Sequence, residues 1–163
     1  AHVMMGSRGY SAHDDRRMAL YLLNNMLGGP GMNARFNLSL RERHGLVYTV
    51  ESSMVNYGDT GLWVVYFGCD PHDVGRCRRL VRRELDRVMA APLSEAQLRA
   101  AKKQLKGQIG VACDNRENFA IDFGKSFLHY GWEKDIASVT AGQIQNVAND
   151  LFTEEALTTL IIK

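Results

Sequence analysis

An arginine and a tyrosine seven residues apart are the side chains in this sequence best suited to hold a developing negative charge. Segment 40–48 (LRERHGLVY) places Arg41 at the end of a predicted helix and Tyr48 near the start of the next strand. A tight turn at Gly45 would bring the two side chains near one another. Guanidinium and phenol groups both donate hydrogen bonds to a carbonyl oxygen or an oxyanion. From this chemistry alone, an ion-paired arginine and a strand aromatic remain the simpler interpretation.

Other catalytic or metal-binding patterns are absent from the sequence. No two histidines lie four residues apart, and none stands in an H-E-x-x-H or H-x-x-E-H arrangement, so we expect no metal site in this chain. No G-x-S-x-G elbow occurs, and no cysteine has an identifiable histidine partner. The cysteines lack C-x-x-C spacing and are predicted to be reduced, packed thiols. The histidines of the chain are His2, His13, His44, His72 and His129, and its cysteines are Cys69, Cys77 and Cys113.

Two further segments have a structural and a functional interpretation. The glycine-rich run 27–32 (LGGPGM) follows a helix and lacks the lysine of a phosphate-binding loop, so it is predicted to end that helix in a tight reversal. Six arginines lie within residues 76–87, interleaved with an apolar stripe. A solvated helix face is the simpler interpretation of that run, and binding of an acidic protein or nucleic acid is the alternative.

Length and composition predict one soluble globular domain over residues 1–163. The chain is 45% hydrophobic and 23% charged, with a formal net charge of +2, which gives no general reason to expect a nucleic-acid or membrane partner. No apolar run approaches the ~18 residues that cross a bilayer. The sequence starts at Ala1 inside an apolar stretch, so we expect a fragment of a longer chain. A targeting segment could lie outside it, and no compartment is predicted.

The hydrophobic pattern predicts strands at both ends and in the middle, with helices grouped between them. Such segregation predicts an α+β fold, a mostly antiparallel sheet with helices packed on one face. The first predicted elements are a strand at 2–5 ended by Gly6, a helix capped by Asp14 and Asp15 and stopped at 28–31, and a short helix from Asn33 to about Arg43 stopped by Gly45. A hairpin of 46–54 and 61–69 follows, and then a helix from Pro71 to Pro92 and a helix begun by a Ser94–Gln97 capping box. The last predicted elements are a helix marked by Phe119, Phe123, Phe127 and Tyr130, a helix at 140–151 and a strand at 156–162.

Apolar residues at three- and four-residue spacing predict which helical faces are buried. In the helix after Pro71 the stripe is Val74, Cys77, Val81, Leu85 and Val88. In the helix after Ser94 it is Leu98, Ala101, Leu105, Ile109 and Ala112.

Several segments together resemble the second half-domain of pitrilysin/insulinase-type zinc peptidases, which include mitochondrial processing peptidase and its bacterial relatives. The matching segments are 22–29 (LLNNMLGG), 31–35 (GMNAR), 40–50 (LRERHGLVYTV), 57–62 (YGDTGL) and 66–71 (YFGCDP). The helix from Ser94 through Gly107 fits a later segment of the family. The similarity covers nearly the whole chain and is densest over residues 19–71. Residues 36–38 (FNL) depart from it, because relatives more often show a Leu-Phe pair, so the inner groove surface is expected to differ.

The resemblance implies a metal-free half of an α+β clamshell that encloses a peptide substrate. Family members hold zinc on an H-x-x-E-H helix of another half-domain, a motif that this chain lacks. It implies no cofactor here, zinc in a partner half-domain of the same or another chain, and no cleavage by this chain alone. Arg41 and Tyr48 match the family's arginine and tyrosine that reach the substrate beside the zinc, so the resemblance makes them substrate- and oxyanion-binding residues.

Two other functions remain open at this stage. A purely structural or assembly half-domain is one, since inactive half-domains can retain the Arg41/Tyr48 pair without using it. A binder of nucleic acid or an acidic protein through the arginine-rich helix is the other, and the near-neutral net charge disfavours it. Homo-oligomers are also possible, because a surface left apolar for the missing half could pair with itself.

Overall fold

The computed structural model describes residues 1–130 and 136–162 and shows an α+β fold. The elements in chain order are β1 His2–Gly9, α1 Arg17–Gly28, a π-helical segment Asn37–Glu42, β2 Val47–Asn56, β3 Gly61–Cys69, α2 Val74–Ala90, α3 Glu95–Cys113, α4 Arg116–Tyr130, a 3₁₀ turn Ile136–Ser138, α5 Ala141–Leu151 and β4 Thr158–Ile162. The predicted fold class is confirmed, and so are the hairpin and the order of the elements.

The four strands form one antiparallel sheet in the order β2-β3-β1-β4. Side chains alternate between its two faces, and the face that the helices cover is apolar. The buried residues at its centre are Val3, Met5, Trp63, Val65 and Phe67. Trp63 Nε1–H donates to Asn24 Oδ1 at 3.0 Å, and its ring lies 4.5 Å from Phe152. Trp63 therefore holds both α1 and the end of α5 against the sheet.

The buried stripe and the end predicted for α2, the capping box predicted for α3 and the helix predicted at 140–151 agree with the structure. The α2 stripe from Val74 to Val88 is buried, and α2 ends at Ala90, two residues before Pro92. Ser94 with Gln97 forms the predicted capping box at the start of α3, and Thr140 with Gln143 forms another at the start of α5. These boxes satisfy backbone N–H groups that a helix leaves unpaired at its start.

Three predicted element ends are wrong, each for a local reason. Gly6 does not end β1, which continues to Gly9. A Cβ at Gly6 would lie 2.7 Å from Trp63 O, so this glycine permits a close strand approach. Asp14 and Asp15 do not cap α1, because Asp14 accepts from the backbone N–H of Arg16, the N-cap residue. Asn33 caps no helix, since its Oδ1 accepts a hydrogen bond from Gln104 Nε2 of α3 at 3.1 Å.

The buried face predicted for the distal half of α3 is also wrong. Leu98, Ala101 and Leu105 are buried, but Ile109 and Ala112 are exposed. Beyond residue 105, α3 and the following helix α4 form an apolar arm, defined here as residues 106–130, whose described side chains are mostly solvent-exposed. The large exposed apolar residues of this arm are Ile109, Val111, Phe119, Ile121, Phe123, Phe127 and Leu128. The predicted α4 helix is confirmed, while the side chains of Tyr130 and His129 lie outside the described part.

Candidate functional site

A π-helical turn carries Arg41 at the entrance to β2. The N–H of Arg43 donates to the carbonyl of Leu38, which gives the wide π spacing instead of the α spacing. The turn ends at Gly45, whose φ of 60° lies in the left-handed region that glycine adopts without strain. Gly45 N–H donates to Arg41 O at 2.8 Å, and Leu46 N–H donates to Leu40 O at 3.0 Å. The predicted stop at Gly45 is confirmed, and it fixes the backbone around Arg41.

The Arg41 side chain lines a cleft of about 550 Å³ between α1, α3 and β2. Polar residues line this cleft together with Arg41, among them Tyr21, Gln108 and Glu51. The Nε of Arg41 is 3.9 Å from Glu42 Oε1, and the Arg41 side chain is 51% exposed. Exposed pairs at this distance contribute little to stability, so the guanidinium is available to a ligand that enters the cleft.

Tyr48 is the extra residue of a β-bulge at the start of β2. Val47 pairs with Cys69 and Thr49 pairs with Gly68, which leaves Tyr48 between them without a partner residue. Bulges of this kind redirect a side chain. Tyr48 is 66% exposed, and its ring lies over Gly68. A Cβ placed on Gly68 would be 2.8 Å from Tyr48 Cε1 and nearer still to Cζ and Oη. The absence of a side chain at Gly68 therefore makes room for the phenol.

Two residues that the sequence analysis did not single out, Tyr66 and His2, share the outer face of the sheet with Tyr48. His2 Nδ1 and Tyr66 Oη are 2.8 Å apart, and their rings stack at 6.0 Å. Partial desolvation raises the pKa of Tyr66, and the neighbouring Tyr48 phenol and Glu51 raise it further. The Tyr48 phenol therefore lies close enough to Tyr66 to affect the ionisation of Tyr66. The signal available in the sequence was the alternation along β3, which places Tyr66 and Gly68 on one face.

Arg41 precedes β2 in the chain, and Tyr48 is the second residue of that strand. In the part of the chain that the structure describes, no hydrogen bond or ion pair joins their side chains. Glu51 lines the cleft with Arg41 and pairs in register with Tyr66 of β3. The expected proximity of the Arg41 and Tyr48 side chains therefore stays a prediction.

The described residues show no assembled metal site. Within 1–130 and 136–162, no group of three or more histidine, cysteine, aspartate or glutamate side chains is placed to hold an ion. No described helix is long and apolar enough to cross a membrane. The residues described here do not fit a zinc ion, so no chemical step is assigned to a metal on this chain.

The glycine-rich run and the cysteines have structural environments. Helix α1 ends at Gly28, and a Cβ there would lie 2.5 Å from Ser52 N, so this glycine lets α1 approach β2 closely. The predicted helix stop is confirmed. All three cysteines are free thiols, with Cys69 and Cys77 buried. Burial and the neighbouring Cys69 raise the pKa of Cys77 to about 12, which is the behaviour of a packed thiol and not of a nucleophile.

Comparison with known proteins gives consistent matches along the chain. The family described as the peptidase M16 inactive domain matches residues 1–105. An uncharacterized zinc protease of Streptomyces coelicolor is 35% identical over 93% of this chain and 34% of its own length. The β subunit of mitochondrial-processing peptidase from Bos taurus is 30% identical over 73% of this chain and 25% of its own length. The chain therefore spans about a third or less of these relatives.

Solved structures show the same fold. The crystal structure of a peptidase M16 inactive domain from Pseudomonas fluorescens aligns with a TM-score of 0.82 at 18% identity, covering 97% of this chain and 39% of that one. At this identity the likeness establishes the arrangement of helices and strands, and the roles of individual side chains have to come from the site itself.

Proposed function

Because the chain belongs to the peptidase M16 inactive-domain family, we propose that it is the substrate-binding half of a zinc peptidase. In this proposal a partner half-domain, of the same or another chain, carries an H-x-x-E-H helix and its zinc ion. Such an ion would polarise the scissile carbonyl of a peptide. The residues of the present chain would bind and orient that peptide without contributing a metal ligand.

The observation that supports this function best is the placement of the Tyr48 phenol. It is held on a bulge, over a glycine, with 66% of the residue exposed. A tyrosine kept for packing would be buried, as Tyr10 is. Together with the half-exposed Arg41 guanidinium, the phenol supplies two donors at one end of β2.

In the proposed reaction these donors would act on the carbonyl oxygen of the substrate. That oxygen gains negative charge as the carbonyl becomes tetrahedral, so donors aimed at it bind the transition state more tightly than the ground state. The phenol O–H would donate one hydrogen bond to it, and the guanidinium would hold the same oxygen or a neighbouring carbonyl. Glu51 lines the same cleft as Arg41 and influences Tyr66, so it would help to orient a bound peptide beside the two donors.

The test is peptide turnover by the complete peptidase carrying Tyr48→Phe. This change removes one hydroxyl, so we expect turnover to fall by roughly 10²–10³-fold, the typical loss for one oxyanion donor. Arg41→Gln should lower peptide turnover by a comparable factor. The matched controls are Tyr57→Phe, another exposed tyrosine at the far end of the same hairpin, and Arg43→Gln, an exposed arginine two residues from Arg41. If Tyr48→Phe keeps turnover within about threefold of the parent, the chain is a structural half-domain, which is the alternative function.

We further propose that the apolar arm docks against the zinc-bearing half-domain. Val111 is 73% exposed and Leu128 is 81% exposed, and exposed apolar surface of this extent usually marks an interaction site. Serine at both positions should abolish co-purification of separately expressed halves while the melting temperature of this chain stays unchanged. Val55→Ser, on the exposed face of β2, is the control. Undiminished pairing of the double variant would exclude the arm as the interface.

A further inference from the structure

Strand β4 is an edge strand whose outer side pairs with no other described strand. Strand β4 pairs with β1 on one side and is the last strand in the sheet. Its sequence TTLII carries no charge or proline of the kind that protects natural edges. Leu160 is 54% exposed and Ile162 is 58% exposed on one face, and Ile161, which faces the helices with Val3, is still 37% exposed. Among residues 1–130 and 136–162, no strand pairs with this edge, and both faces of β4 are only partly covered.

A cationic cleft of about 490 Å³ lies beside this edge on the helical side of the sheet. Arg78, Arg79 and Arg82 of α2 form one wall, and Met5 and Thr159 of the sheet form the other. Arg82 is engaged, with hydrogen bonds to Phe152 O and to Asp86 at 2.7 Å. Arg78 and Arg79 are exposed and, among the residues described, form no ion pair.

The cleft holds one carboxylate of its own, that of Glu154, against the three arginines. One carboxylate leaves an excess of positive charge at this wall. A ligand that lies along β4 and places a negatively charged side chain next to α2 would neutralise this excess positive charge.

We propose that the β4 edge accepts one further strand, an extended acidic segment from the part of the longer peptidase that lies outside this chain. Strand addition pairs the backbone of the segment with the open edge, and alternate side chains then face α2. Apolar residues would cover Leu160 and Ile162 on the outer face, and a carboxylate would face Arg78 and Arg79. The relatives are about three times as long as this chain, so a covalently linked segment is available at high effective concentration.

A second copy of this chain is a poorer occupant of the edge. Pairing β4 with another β4 would bring two arginine-lined clefts together across the new strand pair, and like charges facing each other oppose association. The carboxylate needed opposite Arg78 and Arg79 is also missing from TTLII. Charge complementarity therefore favours an acidic strand over self-association.

The experiment compares amide hydrogen exchange in residues 158–162 between the 163-residue chain and the full-length protein. We expect the outward-facing amides of β4 to exchange at least ~100-fold more slowly in the full-length protein, as amides in a paired strand do. Arg78→Glu with Arg79→Glu should remove at least ~10-fold of that protection. Arg76→Glu with Arg83→Glu is the matched control, since these exposed arginines of α2 lie outside the cleft.

Several outcomes would overturn the proposal. One is equal exchange of β4 in both proteins, and another is equal effects of the two arginine pairs. Protection that appears in the 163-residue chain and rises with its concentration would identify a second copy as the occupant. Should the double charge reversal prevent folding, Arg79→Gln alone serves the same comparison. Arg41 and Tyr48 take no part in this edge, so failure here and failure of the proposed peptidase role are separately recognisable.

Discussion

Gly68→Ala probes whether the position of the Tyr48 phenol matters, without altering the phenol itself. The substitution adds one methyl group beneath the ring. In the parent, an added Cβ would lie 2.8 Å from Tyr48 Cε1 and closer to Cζ and Oη. Ordinary carbon–carbon contact is ~3.5 Å, so the ring has to move by about 0.7 Å at Cε1 and by more at the hydroxyl.

The movement should cost little stability but much activity. Tyr48 is 66% exposed, so its ring can swing towards solvent while the backbone of β2 and β3 stays paired. We therefore expect the free energy of unfolding to change by less than about 1 kcal/mol, as at other surface positions. A displacement of about 1 Å in a positioned group can lower a rate by ~10²-fold, which approaches the effect expected for Tyr48→Phe.

Two measurements test this expectation. In the complete peptidase, Gly68→Ala should lower turnover, and adding it to Tyr48→Phe should cause no further loss, because the displaced hydroxyl is already absent. In the isolated chain, the pKa of Tyr66, followed by NMR of its labelled ring, should fall towards its ordinary value. The neighbouring Tyr48 is one cause that raises it, and the substitution moves that neighbour away.

The reasoning is refuted if Gly68→Ala retains full turnover while the Tyr66 pKa falls, since the phenol would then have moved without consequence. It is also refuted if losses from Gly68→Ala and Tyr48→Phe multiply in the double variant. A large drop in stability would instead show that the ring cannot swing aside.

Two further predictions concern groups away from the site. The pKa of Cys77 is raised from 9.0 to about 12, so the stabilisation from its protonated thiol should be intact below pH 9 and lost as pH rises towards 12. Urea unfolding at pH 8 and 10.5 should show this loss of stability in the parent and a smaller loss in Cys77→Ala. An identical loss in both proteins would contradict the prediction. Tyr10 Oη donates to Asp150 Oδ2 at 2.7 Å, and the Arg16 guanidinium lies 4.3 Å from the Tyr10 ring centroid. Tyr10→Phe should therefore lower the free energy of unfolding by about 1.5–3 kcal/mol. A decrease below about 0.5 kcal/mol, the range expected for the control Tyr57→Phe, would show that this bond is not stabilising.

Local patterns predicted the helices well because their signals lie within a few residues. The stripe from Val74 to Val88 and the Ser94–Gln97 box each fit within one helix, and both are confirmed. Arg41 and Tyr48 were singled out by the segment 40–48 and by a family resemblance. Their role in hydrolysis stays a prediction.

The features that the sequence did not reveal depend on distant parts of the chain or on hydrogen-bond geometry. His2 meets Tyr66 across 64 residues through strand register, and Gly68 makes room for Tyr48 through a bulge. The π-helical turn around Arg41 depends on which carbonyl each N–H reaches, and residue types do not encode that choice strongly. The period of α3 identified Ile109 as part of its apolar face but contained no information on what covers that face.

The central position of β1 has a consequence for how the protein is made. The first strand lies between β3 and β4, so its two neighbours leave the ribosome at very different times. At a synthesis rate of ~5–20 residues per second, the ~90 residues that separate β3 from β4 take roughly 5–18 seconds to appear. Throughout that interval a nascent chain already able to pair β1 with β3 would expose an apolar β1 edge. We expect chaperones that shield extended apolar segments to engage the chain during this interval and to leave when residues 158–162 emerge.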